Sequence, residues 1–171
     1  MTDTKKQDGI ALLKADHRKV EDLFSKFEAA KEAGRKQKLA EEICMELSIH
    51  ARIEEEIFYP ACKGAVEKEM LEEALVEHDG AKVLIAEIEA GGPDEKFYDA
   101  KVKVLSEMIE HHVKEEEMRV EGMFSKARKA GVDMDALGEK MAAEKKRLLS
   151  AYKSKGVPKS QTTSLGGTRL A

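Results

Sequence analysis

The segment His50–Pro60 reads HARIEEEIFYP. It sets a histidine four residues before the first of three consecutive glutamates, then runs into Ile57, Phe58 and Tyr59. On a helix, residues i and i+4 share a face one turn apart. His50 and Glu54 would therefore project together, beside side chains that favour burial. The spacing alone says little. Four of the five histidines have a glutamate at +4, namely Glu21, Glu54, Glu115 and Glu116, and the chain holds 34 acidic residues among 171.

The recurrence of the segment says more. His17 and His78 are 61 residues apart, as are His50 and His111, and Glu54 and Glu115. The glutamate triplets at 54–56 and 115–117 superimpose at the same offset. The chain thus reads as two helix hairpins, each carrying a histidine and, 33 residues later, His-x-x-x-Glu. Repeats of this kind mark one structural unit used twice. Two hairpins related by a pseudo-two-fold axis would bring four imidazoles and two carboxylates together. The offset favours His111 and Glu115 in the second hairpin. A competing stripe, Leu105, Ile109, His112 and Glu116, stays open, and the favoured register leaves His112 behind the ligands or at the surface.

The rest of the chain fits long helices. Ala, Glu, Lys, Leu and Met dominate and only 3 prolines occur, a helix-forming composition. Apolar residues repeat at helical spacing through Ile10, Leu13, Val20, Phe24 and Phe27, then after a break at Gly34 through Leu39, Ile43, Leu47, Ile57 and Phe58. A third stripe runs Leu71, Leu75, Ala81, Ile85 and Ile88, and GGPDE at 91–95 ends it, with Asp94 able to cap the next helix. The fourth runs Phe97, Val104, Met108 and Met118. Short connections between helices of about 20 to 28 residues make antiparallel neighbours. The expected fold is all-α: an up-down-up-down four-helix bundle over 1–130, an additional helix over 131–153 capped by Asp133, and a flexible polar tail over 154–171. The additional helix would pack across the bundle or join copies into a homo-oligomer.

Other classes are excluded. The net charge of −4, with both signs interspersed, gives no footprint for nucleic acid. No run of 18 apolar residues exists for a membrane span. The start MTDTKKQDGIALLKADH lacks the apolar stretch of a signal peptide. Cys44 and Cys62 are too far apart along one helix to pair, which suits reduced thiols and a cytoplasmic protein.

Imidazole nitrogens with carboxylate oxygens suit iron, and also manganese or zinc. Four histidines and two glutamates exceed the needs of a structural zinc. Neither Glu-x-x-His nor His-Glu-x-x-His is present. The pattern suits a dinuclear centre. Three function classes follow: a redox enzyme, a module that binds or senses oxygen or iron, and a bundle whose histidines are incidental.

The stretches DHRKVEDLF (16–24), HARIEEEIFYP (50–60), EHDGAKVLIAEI (77–88) and HHVKEEE (111–117) resemble the hemerythrin-like HHE cation-binding proteins over about residues 10–125. The resemblance implies two non-haem irons with oxo or hydroxo bridging. His17 and His50 would bind one iron, His78 and His111 the other, and Glu54 and Glu115 would bridge. Oxygen-carrying hemerythrins have His-x-x-x-His in the third helix, where this chain has Lys82 at +4 from His78. They also bridge with an aspartate five residues after the fourth-helix histidine. The missing imidazole implies an open position and a ligand such as O2, H2O2 or NO, with catalase-like or NO- and O2-reactive chemistry in prospect. Glu21, the counterpart of Lys82, would be a further oxygen ligand.

Overall fold

The structure is a computed structural model that describes residues 7–166. Among these residues seven α-helices follow in order: α1 (Gly9–Ala29), α2 (Ala33–Ile53), α3 (Tyr59–Cys62), α4 (Lys68–Ala90), α5 (Tyr98–Glu117), α6 (Met123–Lys129) and α7 (Met134–Lys155). A π-helical turn, Glu54–Phe58, joins α2 to α3. No β-strand occurs among the described residues; Lys63 and Val66 form one isolated bridge.

Caps fix several ends. The Asp8 carboxylate accepts from the Ala11 amide at 2.8 Å, and that of Asp133 from the Ala136 amide at 2.9 Å, each satisfying an orphan donor of a first turn. Gly156 ends α7 at φ +82°, a conformation glycine adopts without strain. Two boundaries differ from the sequence reading. The first break falls at residues 30–32, and Gly34 lies inside the first turn of α2, where a helix needs no intrahelical amide bonds. Asp94 does not cap α5; Phe97 holds that position without a side-chain cap.

Side-chain pairs give the helix directions. His17 meets His50 while Lys19 meets Glu46, so α1 and α2 are antiparallel. His78 meets His112 and Lys101 meets Glu87, so α4 and α5 are antiparallel too. Further contacts join α2 to α4 and α1 to α5, and α7 lies on α1 and α2. The apolar face of α7, with Met134, Leu137, Met141, Leu148 and Tyr152 buried, is covered by the same chain.

The fourth apolar stripe lies on the other face of its helix. Phe97, Val104 and Met118 are 56%, 46% and 41% exposed. The buried residues are Tyr98, Val102, Leu105, His112, Val113 and Glu116. One step along an α-helix turns a side chain by about 100°, so the two stripes of α5 face different ways, and packing selects the second.

The buried apolar residues form two clusters. One gathers Phe58, Tyr59 and Phe124 with α7. The other gathers Val20, Leu47, Ala81 and Leu105. Buried histidines and carboxylates lie between them. Cys44 and Cys62 are free and buried; burial, aided by nearby glutamates, pushes both thiols up to about 12. No helix among the described residues is long and apolar enough to cross a membrane.

Candidate metal centre

Four helices each present one imidazole to the polar layer: His17 from α1, His50 from α2, His78 from α4 and His112 from α5. The Nε2 atoms of His17 and His50 are 3.0 Å apart, and those of His78 and His112 are 3.1 Å apart. Glu54 and Glu116 lie between the pairs, 0% and 1% exposed. Glu54 Oε1 is 3.1 Å from His50 Nε2, and its Oε2 is 3.1 Å from His78 Nε2. Glu116 Oε2 is 3.3 Å from His17 Nε2, and its Oε1 is 3.4 Å from His112 Nε2. Each carboxylate therefore spans both histidine pairs.

The outer ring nitrogens are held in turn. His50 Nδ1 faces Asp16 at 3.4 Å, His78 Nδ1 faces Glu55 at 2.9 Å, His112 Nδ1 faces Glu77 at 2.5 Å and His17 Nδ1 faces Glu117 at 2.6 Å. The arrangement repeats in both hairpins. The acid preceding one histidine (Asp16, Glu77) holds the histidine of the next helix. The acid following a central glutamate (Glu55, Glu117) holds a histidine of the other hairpin. A third layer pairs these acids: Lys145 with Asp16, Lys82 with Glu55 at 2.8 Å, Arg18 with Glu117 at 2.9 Å, and His111 with Glu77 at 3.3 Å. Carboxylates on Nδ1 fix ring orientation and leave Nε2 as the basic atom.

The π-turn supplies one more group. Pro60 has no amide hydrogen, and its ring would strike the Glu56 carbonyl in a regular α-turn. The chain widens just before it, and the Tyr59 amide donates to the Glu54 carbonyl, five residues back. Glu54 and Tyr59 thereby share a face. The phenol oxygen is 3.1 Å from Glu116 Oε1, 3.3 Å from Glu54 Oε2 and 3.2 Å from His78 Nε2. The sequence reading counted Tyr59 among the side chains that favour burial and not among the ligands. A π-turn at such a point commonly marks a functional site. Beyond the centre, Gly122 allows a tight reversal, since a Cβ there would lie 2.4 Å from the Met118 carbonyl oxygen. The reversal brings Phe124 to stack on His17 at 5.9 Å.

Of the residues expected at the centre, the structure brings together His17, His50, Glu54 and His78. It leaves out Glu21, His111 and Glu115. Glu21 is exposed and paired with Arg18 at 3.0 Å. His111 is 62% exposed and pairs with Glu77 and Glu115 on the surface. His112 and Glu116 take their places. The true offset between the hairpins is 61 residues for the first histidines and 62 for the second histidines and glutamates. The connection ahead of α5 is longer than that ahead of α2, which shifts the register of α5.

The donor set fits cations. Glu54 Oε1 and Glu116 Oε2 are buried without a hydrogen bond, a costly state for a carboxylate oxygen. Two clusters, His17 with His50, Glu54 and Glu116, and Glu54 with His78 and His112, each have ligand atoms within 4.8 Å of one another. With no cation, protons compensate the charge. Burial opposes the charged imidazole of His50, but Glu54 and Asp16 outweigh it and raise the group to about 10. His112 is likewise raised well above its ordinary value against burial, by Glu116, Glu54 and Glu77. Burial opposes the ionised form of Glu54, yet His50, His112 and His78 hold it well below the usual carboxylate range. Burial, with Glu116 and Glu54, keeps the Tyr59 phenol protonated. Ligating imidazoles must be neutral. Metal uptake at pH 7 is therefore expected to release protons, with His50 and His112 among their sources. A pH-stat titration checks this; uptake without acid release would contradict it.

Comparisons with known proteins bear on the fold and the family. The chain is similar to a hemerythrin HHE cation binding domain-containing protein from Mycobacterium kansasii, with 24% identity, coverage of 88% of this chain and 94% of that one, and a TM-score of 0.71. It is also 27% identical over 106 residues to a DNA nickase from Nostoc sp. (strain PCC 7120 / SAG 25.82 / UTEX 2576), a match that covers 62% of this chain but only 30% of the relative. The family model of the hemerythrin HHE cation binding domain matches residues 8–124, which contain every residue of the central cluster. The chain belongs to the hemerythrin HHE cation-binding domain family.

Proposed function

We propose that α1, α2, α4 and α5 form an up-down-up-down four-helix bundle around two non-haem irons, and that the centre decomposes peroxide. The observation that carries this reading is the double span of Glu54 and Glu116, each with one oxygen at either histidine pair. His17 and His50 would hold one metal, His78 and His112 the other, with both glutamates shared. Bound there, two irons supply a redox pair that exchanges two electrons with H2O2, O2 or NO.

The chain's own residues orient and shield. Asp16, Glu55, Glu77 and Glu117 fix the imidazoles. Phe58 and Phe124 exclude water on one side, and Val20, Leu47 and Ala81 on the other. Lys82, where oxygen carriers have a fifth imidazole, instead steadies Glu55 and through it His78. Free buried thiols suit a reducing, cytoplasmic setting. With a net charge of −4, nothing supports transferring the nickase name of a relative that lies mostly outside the match.

Tyr59 sits among the ligand atoms and is a further ligand or a proton donor to the carboxylates. Tyr59→Phe keeps the ring packing and removes the oxygen. The variant is expected to stay folded and to lose any visible ferric phenolate absorption; an unchanged spectrum assigns the phenol to hydrogen bonding alone. The reading as a whole is tested by oxygen evolution from the iron-loaded protein. Two H2O2 give two H2O and one O2, so about half an equivalent of O2 per peroxide is expected. Ligand-dependent spectral change without turnover would favour a binding or sensing module instead.

A further inference from the structure

The polar layer opens onto a cavity of about 350 Å³ between α1, α2, α4 and α5. Its wall has a regular build. Val20, Leu47, Ala81 and Ile109 line it, each three residues from one of the four central histidines and one per helix. An apolar ring thus lies one turn beyond the imidazole ring, with Ile85 deeper still. The volume far exceeds what a diatomic or a peroxide needs, and is more than twice the roughly 150 Å³ of an apolar cavity that takes benzene.

The chain's own C-terminal segment forms part of the wall. Pro158, Lys159, Ser160 and Gln161 complete the lining. This stretch, expected to be a flexible tail, is tied to α4. The amides of Thr163, Ser164 and Leu165 donate to the Asp79 carboxylate at 2.5–3.0 Å, as does the Ser164 hydroxyl at 2.6 Å. Lys82 Nζ donates to the Gln161 carbonyl at 3.1 Å. Residues 167–171 lie outside the described residues.

Polar groups on the wall are mostly paired. Arg52 bonds Glu56 at 2.7 Å, Lys82 bonds Glu55, and Lys145 neutralises Asp16, while Lys159 is exposed. Ser48 differs: its buried hydroxyl has no partner and it lines the cavity. A chamber of this size, with an apolar ring, mostly paired charges and one buried hydroxyl without a partner, suits a neutral molecule with an apolar body and a single hydrogen-bonding group.

We propose that this cavity is a binding site for a neutral amphipathic organic molecule, an alkyl or aryl body of about a dozen non-hydrogen atoms bearing one hydroxyl or carbonyl, held beside the imidazoles and bordered by the C-terminal strap. The site goes beyond the metal reading and does not depend on it, since its walls are complete without a metal. The test uses the full chain, metal-free and metal-loaded, with the neutral fluorophore N-phenyl-1-naphthylamine as probe and 1-octanol as competitor. Saturable binding of one probe per chain, displaced by octanol, is expected in both forms. Ala81→Phe fills the chamber and is expected to weaken the probe at least about tenfold, with Ile85→Phe as the second wall variant should the first lose its helical circular dichroism. Ser48→Ala is expected to weaken octanol about threefold to tenfold while leaving octane unchanged. Asp79→Asn loosens the strap and is expected to speed probe release. Absence of saturable binding, or equal affinity in folded wall variants, would overturn the proposal. A metal-free chain that binds the probe but takes up no metal would sink the iron reading and leave this site standing.

Discussion

His112→Ala is expected to strip metal from the centre, whereas His111→Ala leaves it filled. The two residues are neighbours in sequence but are rotated about 100° apart on α5. His112 meets His78 in the buried layer, and His111 faces solvent. Loss of His112 removes a proposed ligand atom and takes one imidazole partner each from Glu77, Glu54 and Glu116. Losing a partner behind a ligand typically lowers metal affinity about 10- to 100-fold, so loss of the ligand itself is expected to exceed that. His111 touches the centre only through Glu77, and its removal is expected to cost about tenfold at most. Glu116→Ala and Glu115→Ala should divide the same way. Metal per chain after gel filtration decides the matter, and an inverted order would restore the register read from the 61-residue offset.

Metal removal is the second large effect. Glu54 and Glu116 each keep an oxygen without a hydrogen bond in the middle of the core, between two apolar clusters. A cation that binds the folded chain and not the unfolded one stabilises by mass action, about 2.7 kcal/mol per site at a hundredfold excess over Kd. Two such sites give about 5 kcal/mol. For a chain of this size that corresponds to about 10–20 °C in Tm. Thermal unfolding with ferrous iron and with a chelator should show this gap, and Glu54→Ala should abolish it. Coincident transitions would mean that the layer is satisfied by protons alone.

Much of this was legible in the sequence, and the errors have physical causes. The hairpins follow from periodicity and short connections, and His17, His50, Glu54 and His78 from the repeat. In the second half of the repeat the structure buries His112 and Glu116, each one residue after the pair that the offset favours. Three consecutive glutamates at 115–117 and two consecutive histidines at 111–112 satisfy His-x-x-x-Glu in either register. α5 also carries apolar residues on two faces, so its own pattern does not choose. The choice comes from packing, where Leu105 is 0% exposed while Val104 is 46% exposed. Tyr59 was hidden differently: five residues from Glu54, it shares its face only because the helix widens before Pro60. Docking of the C-terminal stretch on Asp79 depends on backbone amides, which leave no trace in side-chain periodicity.

A two-metal centre built on Glu54 and Glu116 fixes how much metal the chain takes up. The most direct measurement is titration of the metal-free chain with ferrous iron under anaerobic conditions, followed by metal content per chain after desalting. The account predicts uptake that breaks at two irons per chain in the wild type and fails in His112→Ala. Saturation at one metal per chain, or retention of two irons by His112→Ala, would contradict it.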